Sequence, residues 1–317
     1  MLNKPELLTV ANLAPFLMEP LQGAFNVHDR AHEQDAASFA RVAPKIRAIC
    51  GSGESKVSAE LIALLPALEI ISIMGVGYDG VDVAAAKARD VMVTHTPDVL
   101  NDDVADLALA LMLNVARRIP QADQHVRLGR WPAGPMPLAR KMSGARLGLV
   151  GMGRIGQAIA DRAKAFGMTI AYAARSAKPA LPYAFHSTPQ ALAAVSDFLV
   201  VITPGGAATR KLIDASVLRA LGPNGCLVNV ARGSVVDEAA LIEALQQGTI
   251  AGAALDVFEN EPNVPEALRH LPNVVLTPHI GSATTQTRHA MAARAFDNLQ
   301  AHFAGKPLPS PVPECRE

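Results

Sequence analysis

The sequence predicts an α/β protein of two doubly wound domains, each built on a parallel sheet. Three observations carry that expectation. Short apolar runs recur along the whole chain with helix-like stretches between them. Runs this apolar suit strands covered on both faces, and the alternation calls for right-handed βαβ units. The 317 residues exceed what a single core usually organises. The series of runs is also interrupted once, near residue 100, and then begins again.

The first series comprises residues 7–10, 25–28, 46–50, 68–73 and 91–93. A helix is then expected over 101–119, with Asn101 or Asp102 as N-cap, acids in the first turn, and Arg117 and Arg118 in the last turn, matching the helix dipole. Such a helix can link two domains. Residues 121–144 are polar, then rich in Pro and Gly, and show no clear internal pattern. Excursions of that length are usually functional or oligomer contacts. The second series comprises 146–150, 169–172, 198–202, 226–230, 252–256 and 274–277, six runs that suit a doubly wound sheet. Residues 284–303 read as a last helix stopped at Gly305, after which Pro307, Pro309, Pro311 and Pro313 predict an extended tail.

Lys plus Arg and Asp plus Glu are equal at 29 each, so no global field recruits nucleic acid or an anionic membrane surface, and the expected partner is a small molecule. The three cysteines, Cys50, Cys226 and Cys315, form neither a disulfide framework nor a Cys/His metal cluster. Pro5, Pro15, Glu19 and Pro20 break the apolar runs near the start, unlike a signal or transit peptide. No window approaches the ~18 uninterrupted apolar residues of a membrane helix. A soluble cytoplasmic protein without a metal is expected.

Gly151-Met-Gly153-Arg154-Ile155-Gly156 follows one of these strands and opens a helix expected over 154–166. In that context Gly151 makes a tight turn, Gly153 lets backbone approach a pyrophosphate, and Gly156 lets helix and strand pack closely. Arg154 and Ile155 begin the helix whose N–H groups and dipole favour the anion. An NAD-preferring site places Asp or Glu near Ala173 or Ala174 for the ribose 2′-hydroxyl, and none stands there. Arg175, Ser176 and Lys178 suit a 2′-phosphate instead. Solvating a loop is the ordinary fate of such charges, but the missing acid and the added bases point the same way, to NADPH in preference to NADH.

Three polar residues lie after late strands of the second series, where open α/β sheets bind ligands: Arg232, Glu261 and His279. Reducing a 2-oxo acid needs a cation for its carboxylate and carbonyl and an acid to protonate the carbonyl oxygen; arginine and histidine meet those needs. Glu261 would keep His279 protonated near neutral pH against the dipole of the following helix. Singly, each has an ordinary role as a surface ion pair, an acidic turn or a capping histidine. At successive strand ends behind a dinucleotide loop they form a candidate centre. Asp237 is better explained as a helix N-cap.

Residues 229–237 (Asn-Val-Ala-Arg-Gly-Ser-Val-Val-Asp), 256–262 (Asp-Val-Phe-Glu-Asn-Glu-Pro) and 277–282 (Thr-Pro-His-Ile-Gly-Ser) resemble the three catalytic blocks of the D-2-hydroxyacid dehydrogenase family. The resemblance implies a Rossmann NAD(P)-binding domain over 99–285 and a discontinuous, flavodoxin-like substrate domain over 1–98 with 286–317, a deep cleft lying between them. It also implies an enzyme in which Arg232 anchors substrate, Glu261 orients and charges His279, and His279 is the acid/base. Asp256 would contact the nicotinamide carboxamide, with Thr203, Pro204, Val230 and Gly281 lining the cofactor cleft. Met74-Gly75-Val76-Gly77-Tyr78-Asp79-Gly80 matches the family's carboxylate-binding loop, and consecutive backbone donors make a good anion nest. Ser52 and Gly53 are expected at the same cleft. A dimerisation arm at about 101–144 implies a homodimer, in which Trp131 of the partner subunit limits substrate size or simply packs the interface.

Residues 98–106, Arg175-Ser176 and the block ending at Pro265 are most similar to the NADPH-using glyoxylate/hydroxypyruvate reductase branch, implying a small, polar 2-oxo acid. Gly205 and Gly206 depart from the bulkier residues of many relatives and bear on the adenine pocket. Reductases of larger 2-oxo acids are the nearest alternative. A non-catalytic NAD(H)-sensing binding protein resembling the corepressors of this fold is the alternative from another class.

Overall fold

In the computed structural model, which describes residues 4–316, the chain divides into two compact units. One runs to Leu100 and resumes at Thr284; the other spans Asn101–Ala283. Both are parallel-sheet α/β folds.

The first unit holds β1 (Glu6–Thr9), β2 (Asn26–Asp29), β3 (Ile46–Ser52), β4 (Ile70–Met74) and β5 (Met92–Thr94), hydrogen-bonded in parallel in the order β2-β1-β3-β4-β5. This is the flavodoxin-like order, with the reversal between β1 and β3, and ligands of such sheets bind outside the carboxyl ends of the strands. Every residue of β4 is buried. Each isoleucine there contributes about 1.5–3 kcal/mol relative to exposure, so burial on both faces fixes β4 between β3 and β5. The helix Thr285–Phe303, N-capped by Thr284, returns to this sheet, where Ser72 Oγ donates to Ala295 O at 2.9 Å. The proline-rich end is extended only as far as Val312, whose N–H donates to Val93 O. Residues Pro313–Cys315 then form a 3-10 turn. Proline's fixed φ suits the first position of a helical turn as well as an extended chain, which is why prolines alone predicted the wrong ending.

The second unit holds β6 (Arg146–Val150), β7 (Thr169–Ala173), β8 (Ala184–His186), β9 (Phe198–Val201), β10 (Cys226–Asn229), β11 (Gly252–Leu255) and β12 (Val274–Leu276). All pair in parallel, in the order β12-β11-β10-β9-β6-β7-β8. The two wings meet at β6 and β9, so the loop after β6 opens at the switch point of a dinucleotide-binding sheet. Strand β8 corrects the six-strand expectation. It is three residues long at the sheet edge and partly exposed, too short and too wet to show a buried run.

Two helical expectations also change. The long helix is Asn101–Arg117, and Arg118 in a left-handed conformation ends it; a second helix follows, Ile119–Arg127, with Pro120 in its first turn. Asn101 and Asp102 lie inside the first helix instead of capping it, and Asp102 pairs with Arg162 at 2.9 Å. Residues 121–144 are therefore not patternless. The second helix buries none of its residues, and its few apolar side chains, Ile119, Ala122 and Val126, make too short a stripe to stand out in the sequence. The helix after the glycine loop is Arg154–Lys164, two residues shorter than expected, and Gly167 follows at φ 65°. Asp237 does cap the helix Glu238–Gln246, accepting from the Ala240 N–H. Among the described residues no helix is long and apolar enough to cross a membrane.

Candidate active site

At the end of β6, Gly151 sits at φ 108°, and a Cβ there would come within 2.5 Å of Ile202 O. A Cβ on Gly156 would come within 2.5 Å of Gly151 O. Both positions need glycine because backbone passes backbone. Gly153 has no protein atom within 4 Å of its missing Cβ and precedes the helix without a side-chain cap. The open side of the turn therefore presents uncapped backbone of a helix N-terminus, beginning with Arg154 and Ile155, and this fits a pyrophosphate. Val230 is buried, Thr203 half-buried and Pro204 exposed, in the loops after β10 and β9.

After β7, Arg175, Ser176 and Lys178 are exposed. The buried Tyr172 hydroxyl accepts the Lys178 backbone N–H at 2.6 Å, tying this turn to the strand below it. No carboxylate among the described residues pairs with Arg175.

Loops after β10, β11 and β12 carry Arg232, Glu261 and His279, and bring Glu261 within electrostatic reach of the other two. His279 Nδ1 lies 2.8 Å from Glu261 Oε2, with both side chains about a quarter exposed, and Glu261 Oε1 accepts the Phe258 N–H at 2.9 Å. Burial pushes the Glu261 carboxyl up. The hydrogen bonds from His279 and Phe258, with the positive charges of His279 and Arg232, outweigh that effect and hold it below the ordinary carboxylate range. Arg232, half-buried, donates to Ala231 O at 2.8 Å.

His279 adopts φ 53°, a left-handed conformation that costs a side-chain-bearing residue about 1–2 kcal/mol. Asp256 holds it there. Its buried carboxylate accepts from Thr277 Oγ1 at 2.6 Å and from the Ile280 and Gly281 N–H groups at 2.8 Å each, and its own carbonyl accepts the His279 N–H at 2.8 Å. Hydrogen bonds to a charged group are worth about 1.5–3 kcal/mol each, enough to offset the strain. Burial nonetheless pushes the Asp256 carboxyl above its ordinary range, more than these bonds and the His279 charge pull it down.

Sequence reasoning named Asp256 but not the scaffold it commands, since Thr277 carried no assigned role. It also passed over Asn229, whose amide donates to Arg232 O at 3.0 Å and accepts from the Ala231 N–H at 3.1 Å, shaping the arginine loop. Gly233 was missed too. A Cβ there would overlap the Phe258 carbonyl, so the arginine loop and the glutamate loop touch backbone to backbone. A Gly inside a catalytic-looking block was the available signal.

In the first unit, the loops after β3 and β4 also approach backbone to backbone: a Cβ on Gly75 would lie 2.7 Å from Gly53 Cα. Ser52 N–H donates to Ser55 Oγ at 2.9 Å. The Gly75 N–H turns back to Ile73 O at 3.0 Å, so Gly75 contributes its missing side chain and not a donor. The Val76 and Gly77 N–H groups have no acceptor among the described residues and are the loop's open donors. Trp131 is 66% exposed, on the 3-10 turn Trp131–Ala133.

Comparison with known proteins places the chain in a family. The family model described as D-isomer specific 2-hydroxyacid dehydrogenase, NAD binding domain, matches residues 109–281. A hydroxyphenylpyruvate reductase of Plectranthus scutellarioides is 50% identical over 270 residues, 85% of this chain and 86% of that protein. A glyoxylate/hydroxypyruvate reductase of Arabidopsis thaliana is 49% identical over 84% of this chain and 85% of its own. The crystal structure of an NADPH-dependent glyoxylate/hydroxypyruvate reductase from Sinorhizobium meliloti, in complex with NADP and malonate, superposes with a TM-score of 0.93 at 47% identity, covering 99% of this chain and 98% of that one.

Proposed function

Because the chain belongs to the D-isomer specific 2-hydroxyacid dehydrogenases and is an NAD(P)-dependent enzyme of that family, we propose that it reduces a small 2-oxo acid, glyoxylate or hydroxypyruvate, to the D-2-hydroxy acid with NADPH as preferred donor. The observation that carries this reading is the Glu261–His279 pair, 2.8 Å apart across the loops that follow β11 and β12. Bound NADPH supplies the hydride to C2. His279 has Nδ1 held by Glu261, so proton transfer to the carbonyl oxygen falls to Nε2, the ordinary general-acid task of an imidazole. Arg232 anchors the carboxylate and polarises the carbonyl. The Val76 and Gly77 N–H groups bind the carboxylate, with Ser52 and Gly53 beside them in their own unit.

Arg175, Ser176 and Lys178 are assigned to the 2′-phosphate, supported by the absence of an acid directly after β7 and, among the described residues, of an ion pair to Arg175. Initial rates with NADPH and NADH across glyoxylate, hydroxypyruvate, pyruvate and phenylpyruvate test the whole reading. Fast NADPH-dependent turnover of the two small acids is expected; preference for phenylpyruvate would favour the larger substrates suggested by the hydroxyphenylpyruvate reductase relative. Arg175→Ala is expected to raise the NADPH KM about tenfold or more, the worth of a charge-assisted bond, and the NADH KM far less. Equal losses for both cofactors would remove the 2′-phosphate assignment.

We also propose a homodimer. Ile119, Val126, Leu128, Trp131 and Leu138 are 46–99% exposed within one stretch of twenty residues, a density of exposed apolar side chains that suits an interface. Sedimentation is expected to show twice the chain mass, and a monomer at micromolar concentration would sink this part.

A further inference from the structure

We infer that His95 is a positioning residue for the carboxylate-binding loop and that residues 310–316 fix the loop through it. The inference rests on the proposed assignment of Val76 and Gly77 to the substrate carboxylate. It follows from peptide geometry. In a trans peptide the C=O and the N–H of the same plane point in opposite directions, and the only cis bond among the described residues is Glu261–Pro262. The Val76 N–H shares its plane with the Gly75 carbonyl, and the Gly77 N–H shares its plane with the Val76 carbonyl. Both carbonyls are pinned. The Thr96 N–H donates to Gly75 O at 2.8 Å, and His95 Nδ1 donates to Val76 O at 2.9 Å. A carbonyl only accepts, so Nδ1 carries the proton. These two bonds aim the two open donors in the opposite direction, and donation to a peptide oxygen also polarises that peptide's own N–H.

His95 is in turn fixed by the end of the chain. Its N–H donates to Ser310 O at 3.2 Å, and Ser310 Oγ donates to His95 O at 2.6 Å. The Ser310 N–H donates to Asn298 Oδ1 at 3.0 Å. His95, Ser310 and Asn298 are all buried. A second tie runs along the loop: the Tyr78 ring meets the His95 ring edge-on at 5.2 Å, and the Tyr78 hydroxyl donates to Glu314 Oε2 at 3.0 Å. Lys87 Nζ donates to Glu314 O at 2.9 Å and holds that residue in place. Two carbonyl bonds and one hydroxyl bond thus pre-set a pair of backbone donors that would otherwise sample many directions.

The test is steady-state kinetics with glyoxylate at saturating NADPH, together with calorimetric binding of the non-reacting analogue oxamate. His95→Leu is expected to raise the glyoxylate KM and the oxamate Kd about tenfold, the worth of one buried hydrogen bond. kcat should fall less than threefold and the NADPH Kd should stay within twofold. His95→Asn, whose amide can reach the Val76 carbonyl from a similar position, should recover most of the loss, which mere packing would not do. Should the leucine variant fail to fold, Tyr78→Phe decides: it keeps the ring, loses only the bond to Glu314, and is expected to raise both constants two- to threefold. An unchanged KM in His95→Leu or Tyr78→Phe, or equal losses in the Leu and Asn variants, overturns the inference while leaving the proposed reaction intact. A wild-type protein that neither turns over a 2-oxo acid nor binds oxamate overturns both.

Discussion

His279→Ala is expected to lower kcat for 2-oxo acid reduction by about 10²–10⁴-fold, the usual worth of a positioned general acid. The NADPH Kd should stay within about twofold. The phosphate loop after β6 stands on Gly151, Gly153 and Gly156, and its tightest contacts are to Ile202 and to itself, not to the His279 loop. Alanine carries the same Cβ, so it adds no new backbone clash in the left-handed conformation at 279. The Asp256 bonds to Thr277, Ile280 and Gly281 do not involve the imidazole, so they persist. Stopped-flow single turnovers and a fluorescence titration separate the two effects. An undiminished kcat would remove the acid/base assignment, and a large loss of NADPH affinity would show that the variant disturbs the domain.

Glu261→Gln is expected to lower kcat by about 10²-fold near neutral pH and to move the alkaline limb of the kcat profile to lower pH. Glu261 in the folded protein lies below the ordinary carboxylate range, held there against burial by His279, the Phe258 N–H and Arg232. Its negative charge is therefore present above the ordinary carboxylate range, and it is lost as pH falls through the lowered value. Any stability it contributes follows the same sign: complete above the unfolded-state pKa of a glutamate and lost as pH falls through the folded one. Across the working range the carboxylate favours the protonated imidazole beside it, and the amide of glutamine removes that charge while keeping the shape. The reduction, which consumes a proton, should then fail at lower pH than in the wild type. A pH profile of kcat between about 5 and 9 for both proteins measures this, and superimposable limbs would show that Glu261 only positions the ring.

Local chemistry made much of this protein legible. The apolar runs that became β1, β3, β4, β6, β9 and β10 are strands because residues buried on both faces leave a continuous signature, and the glycines at 151 and 156 mark a turn where backbone passes too close to backbone for a side chain. Arg232, Glu261 and His279 could be picked out as chemically apt residues at strand ends. Strand β8 could not: three half-wet residues at an edge draw their order from β7 beside them. The helix Ile119–Arg127 hid for the related reason that it buries nothing.

Tertiary structure alone decided how those residues are held. That Asp256 carries the His279 turn, that Asn229 shapes the Arg232 turn, and that Gly233 lets two loops touch depend on atoms from separate strands meeting, and no periodicity encodes a meeting. The same applies more strongly to Ser72 with Ala295, 223 residues apart, and to His95 with Ser310, 215 apart. Burial and turn geometry are properties of a few consecutive residues and so are written in the sequence; a hydrogen bond across a sheet exists only once the chain has closed on itself, because its worth depends on distance and on the loss of competing water.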